Sequence, residues 1–401
     1  MRYHKKVLAV AIALAFVAAA CGDDEEAAST GEASATDDAP VATDAPVATD
    51  APVATDAPAG DDGVANAQAV VDSFAVEPTD IGPTIPLDSV PEPKTVAWLE
   101  CELPSCQDIT PGFQAATALL GWELEVIGIQ SFDPAPGFQQ ALDLGVDFIA
   151  ITGTPPALIQ DQIDAAKAAG VGFFSCFDTT DPDGPNNNTW IQCGDDVAVA
   201  KTGNLLANAV IADSGGAANV LMVNIPDFAV LVSEREGAQA AYDANCPDCT
   251  FTELAVTIDQ LLAGEVAGAV VAALQEDPTI NYVHFAFDGL TGGVSSTLAD
   301  AGLLDQVKLV GVDFSAAVLQ EIVDGTHQFW TANPKPYAAW LMVDAMARLS
   351  IGQDNTEERD VANLPTFIVS DAATAEELIP TNGWPGPDTM ADQFAALWGV
   401  G

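Results

Sequence analysis

The chain has 401 residues, with 11 Lys+Arg against 59 Asp+Glu and a formal net charge of −48 at pH 7. Such an excess repels phosphate backbones and anionic headgroups, and the few cations form no basic patch, which excludes nucleic acid and lipid headgroups as partners. Strong acidity otherwise serves solubility or salt tolerance and names no ligand.

At the N-terminus Arg2, Lys5 and Lys6 precede an apolar run from Val7 to Ala20, too short to span a bilayer. Ala18, Ala19 and Ala20 lead to Cys21, and acids follow at once in "GDDEE". This order resembles a bacterial lipoprotein signal, with Ala18 where that motif more often carries leucine. The resemblance implies a signal peptide over 1–20, acylation of Cys21 and a membrane attachment through lipid alone. An ordinary secretory signal and an uncleaved anchor are the alternatives.

From 21 to 90 the chain reads as a disordered acidic linker. "VATDAPVATDAPVATDAP" from Val41 to Pro58 repeats Ala, Pro, Thr and Asp without large apolar residues, so it cannot bury a core. Regular prolines argue against a β-helix solenoid.

Of seven cysteines, six remain beyond Cys21. An even number in an exported chain favours disulfides. "CELPSC" pairs Cys101 with Cys106, "CPDC" pairs Cys246 with Cys249, and Cys176 is left with Cys193. A redox role for "CPDC" would need a thioredoxin-type strand before it. Zinc would need a second ligand pair, whereas His4, His284 and His327 are scattered, so no metal and no cofactor is expected.

The rest of the chain, about 310 residues, suffices for two lobes. Apolar runs at "TVAWLE", "ELEVIGI", "DFIAIT", "GVGFFSCF" and "TWIQC" alternate with helical patterns. After a helix at Val197 to Ala212 the rhythm restarts with "ANVLMVN", "TFTELAV", "YVHFAF", "VKLVGV", "FWTAN" and "TFIVS". Apolar strands separated by helices mean βαβ units, so the fold class is α/β with two doubly wound parallel-sheet lobes joined by a hinge. Ligands in such sheets sit beyond the carboxyl ends of the strands.

"FDPAPGFQQALDLGVDFIAITGTPPALIQDQIDAAKAAGVGFFSCFDT", "QCGDDVAVAKTGNLLA" and "VGVDFSAAVLQEIVDGTHQFWTANPKPYAAW" together resemble, in order, the type I periplasmic binding proteins of the ribose-binding-like family. The resemblance runs from Lys94 to about Ser370. It implies a first lobe of 91–194 plus 334–364 and a second of 195–333 plus 365–401. It also implies ligand contacts from strand-end loops: Trp98 and Glu100 after the first strand, Phe177 and Asp178 after the fourth, then Asp288, Asp313, Asn333 and Lys335 of "NPKP". Carboxylates and amides suit hydroxyls, and aromatic faces suit sugar rings. Each has a plainer reading: Asp178 and Asp288 as helix N-caps, Glu100 as solvated, Trp98 as core. In "SEREG" the family carries two arginines; here Ser233 stands at the first position and only Arg235 remains, which argues against a sugar acid or the usual pentose pattern.

No G-x-S-x-G, P-loop or H-E-x-x-H occurs, so no enzyme is expected. The resemblance implies a monomeric, lipid-anchored solute-binding protein on the outer side of the cytoplasmic membrane, passing a sugar or related polyol to an ABC transporter permease. The alternatives are a ligand-sensing component of a signalling receptor and a secreted glycoside hydrolase.

Overall fold

The computed structural model describes residues 61–179, 189–356 and 364–401. The signal segment, Cys21 and the repeat to Pro58 lie outside the described residues.

The first sheet has the order β2-β1-β3-β4-β5, built from Thr95–Glu100 (β1), Glu123–Gly128 (β2), Phe148–Thr152 (β3), Gly172–Cys176 (β4) and Thr189–Cys193 (β5). Every pairing in it is parallel. The central strands β3 and β4 are buried along their whole length, whereas the edge strand β2 exposes Glu123 and Glu125. This is why the central runs are apolar throughout while β2 mixes in acids. Helices Thr110–Leu120 (α3), Ala135–Leu144 (α4) and Gln160–Ala169 (α5) connect the strands, with the short Pro104–Gln107 (α2) after β1.

The second sheet has the order β11-β10-β9-β8-β6-β7, from Asn219–Asn224 (β6), Thr250–Ala255 (β7), Tyr282–Phe285 (β8), Lys308–Val312 (β9), His327–Thr331 (β10) and Ile368–Val369 (β11). Its last strand departs from the expected all-parallel pattern, since β11 runs antiparallel to β10. A chain returning along the sheet edge needs no crossover helix. Strand order reverses at β1 and β3 in one sheet, with β2 added on one side and β3 on the other, and likewise at β6 and β8 in the second, which puts a crevice at the carboxyl ends of both.

Helices Asp196–Ser214 (α6) and Ala229–Asn245 (α7) cross very closely. A Cβ on Gly237 would stand 1.9 Å from the Ala200 carbonyl oxygen, and one on Gly203 would stand 2.1 Å from that of Glu234. The two glycines let the backbones touch, and this fixes which face of α7 meets the second sheet. Helices Ile258–Leu262 (α8), Val266–Glu276 (α9), Val294–Ala301 (α10) and Ala316–Val323 (α11) complete the lobe. Helix Lys335–Ile351 (α12) returns to the first lobe and buries Trp340, Leu341 and Met342 in its core.

Both ends of the body depart from the sequence reading. Residues 61–90, placed there in the linker, begin with helix Asp61–Asp72 (α1), whose Ala67 is fully buried among Leu206, Val210 and Tyr242. The chain then crosses between lobes. The Phe74 carbonyl accepts from Ile368 N at 3.0 Å. Beyond it the Ile81 carbonyl accepts from the Tyr337 hydroxyl and the Ile85 carbonyl accepts from Arg348 Nη2 at 2.7 Å. Alanine-rich helices with a narrow apolar stripe rely on such packing.

At the other end, residues 365–401 do not all belong to the second lobe. Phe367 and Trp384 do, with helix Ala372–Leu378 (α13), but helix Met390–Trp398 (α14) packs on α12 in the first lobe. There Trp398 stacks on Trp340 with centroids 5.5 Å apart, and its Nε1 donates to Asp344 Oδ1 at 2.7 Å. Asp344 in turn pairs with buried Arg348 at 2.8 Å.

Disulfides join Cys101 to Cys106, Cys176 to Cys193 and Cys246 to Cys249. The first closes the loop after β1. The second ties the ends of β4 and β5 just before the chain crosses at Gly194. The third holds the α7–β7 turn.

Candidate ligand-binding cleft

The carboxyl ends of both sheets face one cavity of about 170 Å³. From the first lobe come the Cys101–Cys106 loop with Leu103, Ser105 and Ile109, the end of β3 at Thr152 and Thr154, and Phe177 after β4. From the second come Phe228, Leu231 and Glu234 of α7 and its approach, Phe287 after β8 and Asp313 after β9. Asn333 and Lys335 enter from the crossing into α12.

Two of these residues hold left-handed backbones, Phe177 at φ 55° and Asp313 at φ 66°. Aspartate tolerates this region, whereas a bulky residue does so only where its surroundings enforce it. Phe177 N donates to Cys193 O at 2.9 Å, and its ring lies where a Cβ on Gly194 would stand, 2.6 Å away. Asp313 N donates to Thr331 O and its Oδ1 accepts from Phe314 N, both at 2.9 Å. Each turn aims a side chain into the cleft.

Lys335 is buried and surrounded by carboxylates: Asp313 at 2.9 Å, Asp108 at 3.3 Å and Asp288 at 3.4 Å. Burial alone would lower its pKa, but Asp288, Asp313 and Asp108 reverse that and raise it, so the ammonium stays charged. Burial pushes Asp313 up to about 8, with Lys335 pulling down and Asp288 pushing up. Glu234, 1% exposed, is raised well above the usual carboxylate range by burial and then by Asp313. Its Oε1 lies 3.2 Å from Nε2 of the fully buried His284, which burial lowers to about 3. Burial thus disfavours the charged form of both partners in this hydrogen bond.

Of the residues singled out in the sequence, Phe177, Asp313, Asn333 and Lys335 line the cavity, and Asp288 meets them through Lys335. Asp178 is buried beside Phe177 without lining it. The others lie elsewhere. Trp98 is fully buried, stacked on Phe113 at 4.8 Å with Nε1 donating to Thr110 at 2.8 Å, because its strand face turns to α3. Glu100 accepts from the Thr110 hydroxyl. Ser233 lies outside the lining, its hydroxyl 3.5 Å from the Ala229 carbonyl, and Arg235 pairs with Glu253 on β7 at 3.2 Å. Between them, Glu234 faces the cleft. The sequence reading missed it, with His284 and Asp108, although "SEREG" held the signal one residue on.

A family model described as a periplasmic binding protein domain matches residues 105–354. The chain matches no curated protein. Among solved structures it is similar to an ABC transporter solute-binding protein from Mycobacterium smegmatis with bound glycerol, at 19% identity and TM-score 0.60, covering 72% of this chain and 96% of that one. It is also similar to a 5-methylthioribose transporter solute-binding protein from Thermotoga lettingae in complex with 5-methylthioribose, at 20% identity and TM-score 0.60, covering 78% and 93%. A carbohydrate transporter protein from Acidothermus cellulolyticus in complex with myo-inositol is 22% identical with TM-score 0.58, covering 72% and 98%. At these identities the likeness is one of fold.

Proposed function

The chain belongs to the periplasmic binding protein family, and from that premise we propose that it captures a small sugar or related polyol in the interlobe cleft and delivers it to an ABC importer. The observation that carries this reading is the cavity between the carboxyl ends of two parallel sheets, entered by Asp313 and Glu234 from one lobe and by Phe177 from the other. Carboxyls and an amide suit ligand hydroxyls, and phenylalanine faces suit the C–H side of a ring. The compact polyols held by the similar solved proteins support the same class.

On this reading the ligand bridges the lobes, and the closed form is what a permease recognises. The protein acts as a monomer that binds without turnover. Acylation at Cys21 keeps it on the outer side of the cytoplasmic membrane, with the acidic repeat as tether.

The test is calorimetry with sugars and polyols on the parent and on Asp313→Ala. Loss of a buried acceptor should weaken binding at least about tenfold, equivalent to about 1.4 kcal/mol. Unchanged affinity in a folded variant removes Asp313 from the site.

A further inference from the structure

Carboxyls outnumber cations in this cleft. Lys335 is the one cation among the described lining residues, and Asp313, Asp108 and Asp288 already surround it at 2.9, 3.3 and 3.4 Å. Glu234 enters the same cavity from α7 with one carboxyl oxygen against His284. Asn333 adds a buried amide oxygen with no hydrogen-bond partner among the described residues. The remaining donors that line the cavity are mainly hydroxyls of Ser105, Ser131, Thr152, Thr154, Thr202 and Thr366.

Ser131, Thr154, Thr202 and Thr366 already spend their hydroxyls on Glu102 and on backbone carbonyls, so a ligand that brings donors fits best. A neutral polyol brings hydroxyls and leaves the raised acids protonated. A protonated amine brings three N–H donors and a charge that lets those acids ionise. Phe177, Phe228 and Phe287 add ring faces, which attract a cation and cover an apolar flank.

We infer that the cleft takes a compact amine-bearing ligand, a protonated amino sugar or amino polyol. Its ammonium sits between Glu234 and Asp313, and its apolar side lies on Phe177, Phe228 and Phe287. This rests on the solute-binding reading above and narrows its ligand class.

The state of the empty site agrees. The groups that bear on Glu234 are His284 from β8 and Asp313 from β9, and Asp313 in turn pairs with Lys335 from α12, with Asp288 and Asp108 around the lysine. Burial keeps Glu234 and Asp313 raised and His284 uncharged. Protons held on the two acids leave as the ammonium arrives. Affinity then rises with pH, by up to about tenfold per pH unit for each proton released. The imidazole Nε2–H is placed to donate to the ionised Glu234, which makes His284 a positioning residue.

The experiment uses the full chain and matched probes: D-glucose with D-glucosamine, myo-inositol with its monoamino analogue, and glycerol with 3-amino-1,2-propanediol. Calorimetry at pH 5.5 to 7, in buffers of different ionisation enthalpy, reads affinity and proton release together. The amine of at least one pair should bind at least tenfold tighter and release protons, and Glu234→Gln should abolish that preference. A hydroxyl member that binds as tightly, without proton release, overturns the inference and leaves the solute-binding reading standing. A folded Glu234→Gln protein that keeps the preference also overturns it. Binding of neither member of any pair overturns both.

Discussion

Lys335 Nζ, in the first turn of α12, lies 2.9 Å from Asp313 Oδ2 at the end of β9. The same ammonium reaches Asp108 of the other lobe at 3.3 Å, so one cation ties the two lobes together beside the cleft. A cation at a helix N-terminus opposes the helix dipole, and the surrounding carboxylates outweigh that cost. Lys335→Met removes the cation and leaves acids facing one another. Denaturant unfolding at pH 7 should show a loss of about 3–5 kcal/mol. A variant as stable as the parent at pH 7 denies the ammonium this role.

Asp313 sets a pH dependence with a definite sign. Its folded pKa, about 8, lies above the ordinary carboxylate value, so the folded chain binds its proton more tightly than the unfolded chain. The stability this brings is complete below the unfolded value and is lost as pH rises through about 8. Glu234, also raised, acts in the same direction. Asp277, Asp354 and Asp371 have lowered values and act oppositely at more acid pH, and His284, lowered to about 3, acts oppositely up to its ordinary value near 6.5. Stability of the ligand-free protein should therefore fall between about pH 7 and 8.5, and less steeply in Asp313→Asn. Parallel profiles for the two proteins would refute the assignment.

What the sequence made legible follows from how each residue is buried. Runs such as "DFIAIT" and "VKLVGV" are apolar on both faces because helices cover both sides of their sheets, so strand and fold class could be read directly. Helix α1 was not legible: Val64, Ala67 and Val71 make a thin stripe, next to a repeat that points to disorder. The final helix was not read from the sequence, and which lobe Phe394 and Trp398 join depends on Trp340, more than fifty residues away. Asp313 and Phe177 were legible as residues that line the cavity, because strand ends must meet the cleft. Trp98 was misplaced because it sits mid-strand on the face that meets Phe113. Glu234 was missed because the arginine pattern points to Ser233 and Arg235, and one step along a helix turns a side chain by about 100°.

Trp98 supplies a test of that correction. Trp98→Phe should lose the hydrogen bond to Thr110 and leave a small void against Phe113, lowering stability by about 1–3 kcal/mol. Ligand affinity should stay within twofold, because Trp98 does not line the cavity. A weaker ligand with unchanged stability would return Trp98 to the site.

Gly237 tests the crossing that aims α7. An alanine Cβ there would stand 1.9 Å from the Ala200 carbonyl oxygen, a backbone atom that cannot swing aside. Gly237→Ala should cost about 1–3 kcal/mol or more, as overpacking does. Because Glu234 lies one turn away on the same helix, ligand affinity should fall with it. Gly268, where an added Cβ would meet nothing within 4 Å, is the control, and Gly268→Ala should leave stability equal or slightly higher.

The N-terminal strap gives the last prediction. A chain beginning at Pro91 loses α1, and with it the cover over Leu206, Val210 and Tyr242. It also loses the carbonyls of Ile81, Ile85 and Pro86, which accept from Tyr337, Arg348 and Gln353. Arg348 is fully buried, so its freed N–H finds no water, and each such orphaned donor costs about 1–3 kcal/mol. Calorimetry should therefore place the chain that begins at Pro91 several degrees below a chain that begins at Asp61. The two differ only in the strap, which separates its contribution from that of the acidic repeat. Hydrogen exchange should locate the loss in α6, α7 and α12 rather than in α4 or α5, which the strap does not cover. Equal melting of the two chains would make residues 61–90 an accessory to the fold rather than part of it.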